Sequence, residues 1–321
     1  RIYGYNRIES TVPKLASHNV LTPAEILKAK LINIMTAQGC RETMTFSFIS
    51  PKSYEKCRID ESERKSVEIM NPLGEDTSVM RTSLIPSMME VVARNINNRT
   101  LSGRFFEIGR EYHPVGDKNE LPVEKEVLIC TVYGDGEDFF TVKGIAEEVL
   151  GKCGVNPVFT ALRSNRSFHT GRCAEITAEG GKVIGVCGEI HPLAAENYGI
   201  DKTRVYMLVI KLEELLECSD SDVKYTALPR FPASVRDLSL VCDSDVSNGE
   251  IGGIISKNAK HLESVRLFDI YTGEQIPEGK KSLSYKLTFR KADGTLTDEE
   301  CDKAVGKIIN ALSEKNIILR T

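Results

Sequence analysis

The sequence predicts an α+β protein in two parts: an antiparallel sheet carrying helices over residues 15–225, and a β-α-β-β-α-β unit over residues 226–321. Between residues 42 and 211, stretches with strand alternation outnumber the helices that could serve as crossovers. That favours an antiparallel sheet over a doubly wound parallel one. Beyond residue 229, four strand-like stretches and two capped helices follow one another in the order of a split β-α-β pair, the ferredoxin-like pattern. A length of 321 residues suits about two domains at roughly 150 residues each.

The first firm element begins at Thr22-Pro23-Ala24-Glu25, a capping box with proline presetting the first helical turn. Ile26, Leu27, Leu31, Ile34 and Met35 then share one face, and Gly39 stops the helix. Glu42 to Phe48 alternates as a strand, and a second helix is expected from Ser83 to Asn95 with Leu84, Met88, Val91 and Val92 inward. Further strands are expected at 104–112, 126–133, 172–178, 182–190 and 204–211, with helices at 141–151 and 192–197. The polar run Cys218-Ser219-Asp220-Ser221-Asp222, followed by Pro229 and Pro232, marks the boundary between the parts. In the second part, strands are expected at Val235–Asp243, Glu263–Tyr271, Ser282–Lys291 and Asn316–Arg320. Its helices are Ser247–His261, opened by Ser247 and Glu250, and Asp298–Glu314, opened by Thr297 and Glu300. Residues 1–14 read as the tail of a preceding domain, and the absence of an initiator Met reads as a piece of a longer protein.

Composition narrows the function. The formal net charge of −4 excludes a surface that is cationic throughout, though it allows a local patch. The longest apolar runs fall short of a membrane span, and no leader precedes them, so no membrane partner is expected. Nine cysteines without a C-x-x-C pair read as reduced thiols in a cytoplasmic protein. His169-x3-Cys173 and Cys187-x3-His191 resemble mirrored metal-ligand pairs, but each lies on a strand. There, four residues span about 13 Å, whereas zinc ligands stand about 2.0–2.3 Å from the ion, so no metal is expected. Nucleophile elbows, P-loops, H-E-x-x-H and G-x-G-x-x-G are missing, and no catalytic residue is assigned. Glu107 and Glu111 read as solvated, or as bridging Arg104 and Arg110; His18, His113, His169, His191 and His261 stand isolated.

The last strand pair holds the best candidate site. Leu283, Tyr285, Leu287 and Phe289 point to one face, so Ser282, Ser284, Lys286, Thr288 and Arg290 point to the other. A ferredoxin-like sheet packs both helices on one side, leaving a hydroxyl-rich basic face suited to phosphates and unpaired bases. Against this, the segment from residue 228 carries 14 Lys and Arg against 14 Asp and Glu, and the aromatic stacking pairs of an RNA-recognition motif are not evident.

Leu228-Pro229-Arg230-Phe231-Pro232-Ala233-Ser234-Val235-Arg236-Asp237-Leu238-Ser239 resembles the opening of the ferredoxin-like anticodon-binding domain of the phenylalanyl-tRNA synthetase beta chain family. Phe268-Asp269-Ile270-Tyr271-Thr272-Gly273, Pro277 to Ser284, and Leu287-Thr288-Phe289-Arg290 continue the likeness. Asn71-Pro72-Leu73-Gly74, Met80-Arg81-Thr82-Ser83-Leu84 and Phe105-Phe106-Glu107-Ile108-Gly109 resemble the family's catalytic-like module, a class II synthetase fold without its chemistry. Arg1 to Tyr5 resembles the end of the preceding domain.

The resemblance implies a bacterial-type subunit that pairs with an alpha subunit as (αβ)2 and supports ATP- and magnesium-dependent attachment of phenylalanine to its tRNA. It implies that this piece is inactive alone and binds no cofactor. Phe105-Phe106-Glu107 lacks the arginine two positions before glutamate that would grip ATP, and Ile190 stands where the third class motif has arginine after Glu189. The editing and tRNA-binding-like modules would lie upstream. Carried over, the anticodon contacts are Ala233, Ser234, Arg236, Asp237, Asp269, Ser282, Ser284, Lys286 and Arg290. Arg230 and Phe231 read equally as contacts or as packing where the domain begins, and Asp237 as a partner of Arg236 or a turn cap. The roles of His169, Arg172 and Glu189 stay open. Two alternatives remain: a stand-alone class II-like ligase for a small amino acid, and an amino-acid-sensing regulatory module.

Overall fold

The structure, a computed structural model, describes residues 1–12, 20–116, 120–220, 225, 227–273 and 275–320. The chain forms two compact units, Arg1–Val223 and Lys224–Thr321. The expected boundary at residues 14–15, His18, Ser221, Asp222 and the expected start of the second domain at residue 226 lie outside the described residues.

In the first unit, helix α1 (Pro23–Ala37) starts at the expected box: Thr22 accepts the Glu25 N–H and Glu25 accepts that of Thr22. Gly39, with φ +77°, turns the chain out of it. Then follow β1 (Arg41–Glu42), β2 (Phe48–Ile49), α2 (Lys52–Lys56), β3 (Val79–Met80), α3 (Ile85–Asn97), β4 (Gly103–His113), β5 (Val123–Tyr133), α4 (Phe139–Lys152), β6 (Val158–Ala161), β7 (Phe168–Thr177), β8 (Val183–Ile190), α5 (Pro192–Glu196), β9 (Val205–Lys211) and α6 (Leu212–Cys218). Seven strands form one sheet in the order β1-β4-β5-β9-β8-β7-β6, antiparallel except for the short parallel pairing of β1 with β4.

Both faces of this sheet are covered. Leu27, Leu31 and Met35 of α1, Val142 to Leu150 of α4 and Leu215 of α6 pack one face over Leu128, Cys130, Val132 and Leu208. Met88 and Val92 of α3, Tyr54 of α2 and Ala194 of α5 pack the other over Val127, Ile129, Tyr133 and Met207. Burial on both sides explains why β5 reads as a continuous apolar run from Val127 instead of an alternating one.

The expected strand from Glu42 to Phe48 is corrected: only its two ends are strands. Its alternation has the right period on the opposite side. Met44 is 96% and Phe46 81% exposed, while Thr45 turns inward. Thr45 goes inward because of Arg81, which is 2% exposed and saturated with acceptors. Arg81 Nε donates to the Arg110 carbonyl at 2.9 Å, Nη1 to Thr45 Oγ1 at 2.7 Å, and Nη2 to Glu107 Oε1 at 3.0 Å. Thr45 in turn donates to Glu107 Oε2 at 2.7 Å. The expectation that Glu107 is solvated or bridges Arg104 and Arg110 is therefore overturned. Arg104 pairs with Glu137, and Arg110 with Glu124 and Glu126. Glu111 accepts the Leu84 N–H at 3.2 Å.

The second unit runs β10 (Ser234–Asp243), α7 (Asn248–Asn258), β11 (Leu262–Tyr271), β12 (Lys280–Phe289), α8 (Asp298–Ser313) and β13 (Ile318–Leu319). Its antiparallel sheet has the order β11-β12-β10-β13. Ile251 and Ile255 of α7 and Cys301, Ala304, Ile308 and Leu312 of α8 pack on Leu238, Leu240, Leu283, Tyr285, Leu287 and Phe289. Helix α7 stops three residues before His261, which takes φ +62° to start β11.

Removing one partner of a buried ion pair strands the other charge. Glu107→Ala is expected to lower the unfolding free energy of the first unit by about 3–5 kcal/mol in denaturant titration. Gly109→Ala is expected to cost about 1–3 kcal/mol, because its Cβ would stand 2.6 Å from both Arg81 Nη2 and Leu84 Cδ2.

Candidate nucleic-acid interface

The two helices of the second unit occupy one face of its sheet, so the other face is built from alternate residues of the strands. On β12 these are Ser282, Ser284, Lys286 and Thr288. Opposite them on β10 stand Val241, Ser239, Asp237 and Val235, and on β11 Tyr271, Asp269, Arg266 and Ser264. Ser239 and Ser284 share a hydrogen bond at 3.0 Å. Ser282 Oγ is buried with no hydrogen-bond partner.

Irregularities at Leu262/Ser264 and Leu267/Asp269 change the phase of β11. Leu262, Val265 and Leu267 pack on the core, while Phe268, 52% exposed, comes under the Lys286 ammonium, 5.9 Å from its ring centre. Arg320 donates its N–H to the Ser239 carbonyl at 2.9 Å, and its guanidinium lies 4.9 Å from the Tyr271 ring centre. The face thus carries two aromatic rings, each beside a cation. A ring with a cation beside it offers a base a flat apolar partner and a phosphate a counter-charge.

The carried-over residues divide by position. Asp237, Asp269 and Lys286 are exposed on the open face, whereas Ser282 and Ser284 share its strand parity but are buried, at 1% and 6% exposed. Arg236 is in phase with Leu238 and Leu240 and turns to the helical side. There it donates to Asp298 at 2.6 Å and Asp302 at 3.3 Å at the start of α8, and these hydrogen bonds raise its pKa. Asp237 does not pair with it. Arg290 lies beyond β12, with Nε on Glu263 at 2.9 Å and Nη1 on the Phe231 carbonyl at 2.6 Å. Phe231, Ala233 and Ser234 are half-buried along that segment, and Arg230 is exposed. Phe268, Tyr271, Arg266 and Arg320 were not among the residues expected from sequence.

In the first unit, the Arg172 guanidinium forms a two-pronged pair with Glu189, which is 3% exposed; Nη2 donates to Oε1 at 3.0 Å and Nε to Oε2. His169 Nδ1 accepts the Gly171 N–H at 3.0 Å, and His191 Nδ1 accepts the Leu193 N–H at 3.2 Å. Cys173 and Cys187 belong to the cores on opposite faces of the sheet. The two His/Cys pairs therefore do not converge.

The fold over part of the chain is that of a class II aminoacyl-tRNA synthetase. It is similar to a solved pyrrolysyl-tRNA synthetase of Desulfitobacterium hafniense, with a TM-score of 0.50 at 19% identity over 60% of this chain and 66% of that one. The second unit matches, over residues 229–320, the family model described as a ferredoxin-fold anticodon binding domain. Residues 8–212 match the model described as the phenylalanyl tRNA synthetase beta chain CLM domain. The chain is 40% identical over 317 residues to the phenylalanine–tRNA ligase beta subunit of Clostridium acetobutylicum and 38% over 322 residues to that of Clostridium tetani. These alignments cover 97% and 99% of the chain and 40% of each relative. The chain belongs to the phenylalanyl-tRNA synthetase beta chain family, and it spans about 40% of the length of the curated relatives it matches.

Because the Arg236 guanidinium is engaged by α8, Arg236→Ala is expected to cost the second unit about 0–1 kcal/mol, as for other solvent-facing pairs, read by thermal melting. Its effect on RNA affinity is expected to be negligible.

Proposed function

We propose that the chain acts as the non-catalytic C-terminal part of a phenylalanine–tRNA ligase beta subunit. Its first unit docks the catalytic alpha subunit, in an (αβ)2 assembly, and its second unit binds the anticodon region of phenylalanine tRNA. The observation that carries the RNA reading is the pair of cation-flanked rings, Lys286–Phe268 and Arg320–Tyr271, beside the hydroxyls of Ser239, Ser282 and Ser284. Lysine and arginine meet backbone phosphate, the rings stack on unpaired bases, and Asp269 and the half-buried Ser239 hydrogen-bond to base edges.

Docking is supported by the exposed apolar side chains of Met44, Phe46 and Phe48, with Met70 and Leu73, on the first unit. Attachment of phenylalanine with ATP and magnesium belongs to the complete enzyme, in the cytoplasm. The residues here do not fit a triphosphate. Phe105 stands where a gripping arginine would be, Glu107 is already held by Arg81, and Ile190 follows Glu189 in place of a cation. Phenylalanine-dependent pyrophosphate exchange by the purified chain would overturn this non-catalytic reading.

The RNA reading is tested by titrating the full chain with a phenylalanine-tRNA anticodon stem-loop and with one of altered anticodon, across a salt series. Preference for the cognate loop is expected. Lys286→Ala is expected to weaken binding about 3–10-fold and reduce the salt slope by about one, and Phe268→Ala to weaken it with little change in slope. Equal affinity of both variants and the parent would contradict the assignment to this face.

A further inference from the structure

A second group of donors lies on the first unit, at the end of the sheet where β7 begins and β8 ends. The His191 N–H donates to the Ser167 carbonyl at 2.8 Å, tying the start of α5 to the segment before β7. Arg58 Nε donates to the Arg166 carbonyl at 3.2 Å and brings in the end of α2. Arg58 sits just past that helix with φ +58°, a left-handed position where glycine is favoured, and Ile59 N–H closes the turn onto the Tyr54 carbonyl at 2.9 Å.

His169 and His191 each use Nδ1 to accept a backbone N–H, which assigns the proton of each neutral ring to Nε2 as a donor. Burial lowers the His191 pKa first, followed by the charge of the Arg58 guanidinium. The carboxylate against the group is Asp60, with its oxygen 3.9 Å from Arg166 Nε. Two guanidiniums and two imidazole donors, none fully buried, are thus drawn together from three segments of chain, with Asp60 loosely paired to Arg166. Such a set recognises oxyanions. Guanidinium forks match phosphate geometry, and donors spread over a surface suit successive phosphates of a strand.

We infer that Arg58, Arg166, His169 and His191 form a second RNA contact, on the first unit, that holds backbone phosphates without reading bases. It goes beyond the open-face reading and rests on it only for the choice of RNA as the phosphate carrier. The contact adds affinity for the body of the tRNA, while the second unit meets the anticodon.

The test measures binding of the full chain to full-length phenylalanine tRNA and to its isolated anticodon stem-loop across a salt series, for the parent, Arg58→Gly and Arg166→Gln. Arg58→Gly removes the cation, and relief of the left-handed residue offsets the loss of its hydrogen bond to the Arg166 carbonyl, so its melting temperature is expected to stay close to that of the parent. Arg166→Gln alters an exposed side chain and guards against any fold effect of the first variant. Each is expected to weaken full-length tRNA about 3–10-fold and lower the salt slope by about one, with stem-loop affinity unchanged. Unchanged tRNA affinity and slope in both variants would overturn the inference. So would stabilisation of the parent by inorganic phosphate, lost in Arg58→Gly, with tRNA affinity intact; that would mark a free-phosphate site. If the stem-loop fails to bind while full-length tRNA still depends on Arg58 and Arg166, this inference stands and the open-face reading falls.

Discussion

The first unit is organised around one buried cation. Arg81 reaches the hydroxyl of Thr45 and, on β4, the carboxylate of Glu107 and the carbonyl of Arg110, so two segments distant in sequence are fixed to its own by one side chain. A guanidinium taken out of water is tolerable only when its donors are matched and its charge is opposed. Gly109 is part of the same constraint, since a side chain there would occupy the space of the guanidinium. The arrangement also bears on chemistry. The carboxylate on β4 is satisfied from within the protein, so its charge serves the fold.

The second unit divides its labour by strand parity. One set of alternate residues on β10 and β12 builds a core with α7 and α8, and the other set makes a face of hydroxyls, acids and cations. Cations that are in phase with the core, such as Arg236, are consumed by helix contacts. Lys286, out of phase, lies beside an aromatic ring on the open side. The open face itself mixes the cations Lys286 and Arg266 with the acids Asp237 and Asp269.

Much of this was legible in the sequence because it is local. The boxes at Thr22 and Thr297, the glycine stop at Gly39 and the parity of β12 each follow from residues within one turn or one strand. Parity also shows that Arg236 shares a side with Leu238 and Leu240, although the family resemblance alone assigns it to RNA. What sequence could not show depends on partners far along the chain. The inward turn of Thr45 is set by Arg81, 36 residues away. The position of Phe268 is set by an irregularity in β11 pairing, which no alternation pattern reveals. Arg320 reaches Tyr271 only because the chain end is hydrogen-bonded to Ser239.

The most direct test of the account is amide hydrogen exchange of the full chain with and without phenylalanine tRNA. Slowed exchange confined in the second unit to β11, β12 and the segment around Arg320, with α7 and α8 unchanged, is the predicted result. Protection of α7 and α8 with the open strands unchanged would contradict it, and would move RNA recognition to the helical side of the domain.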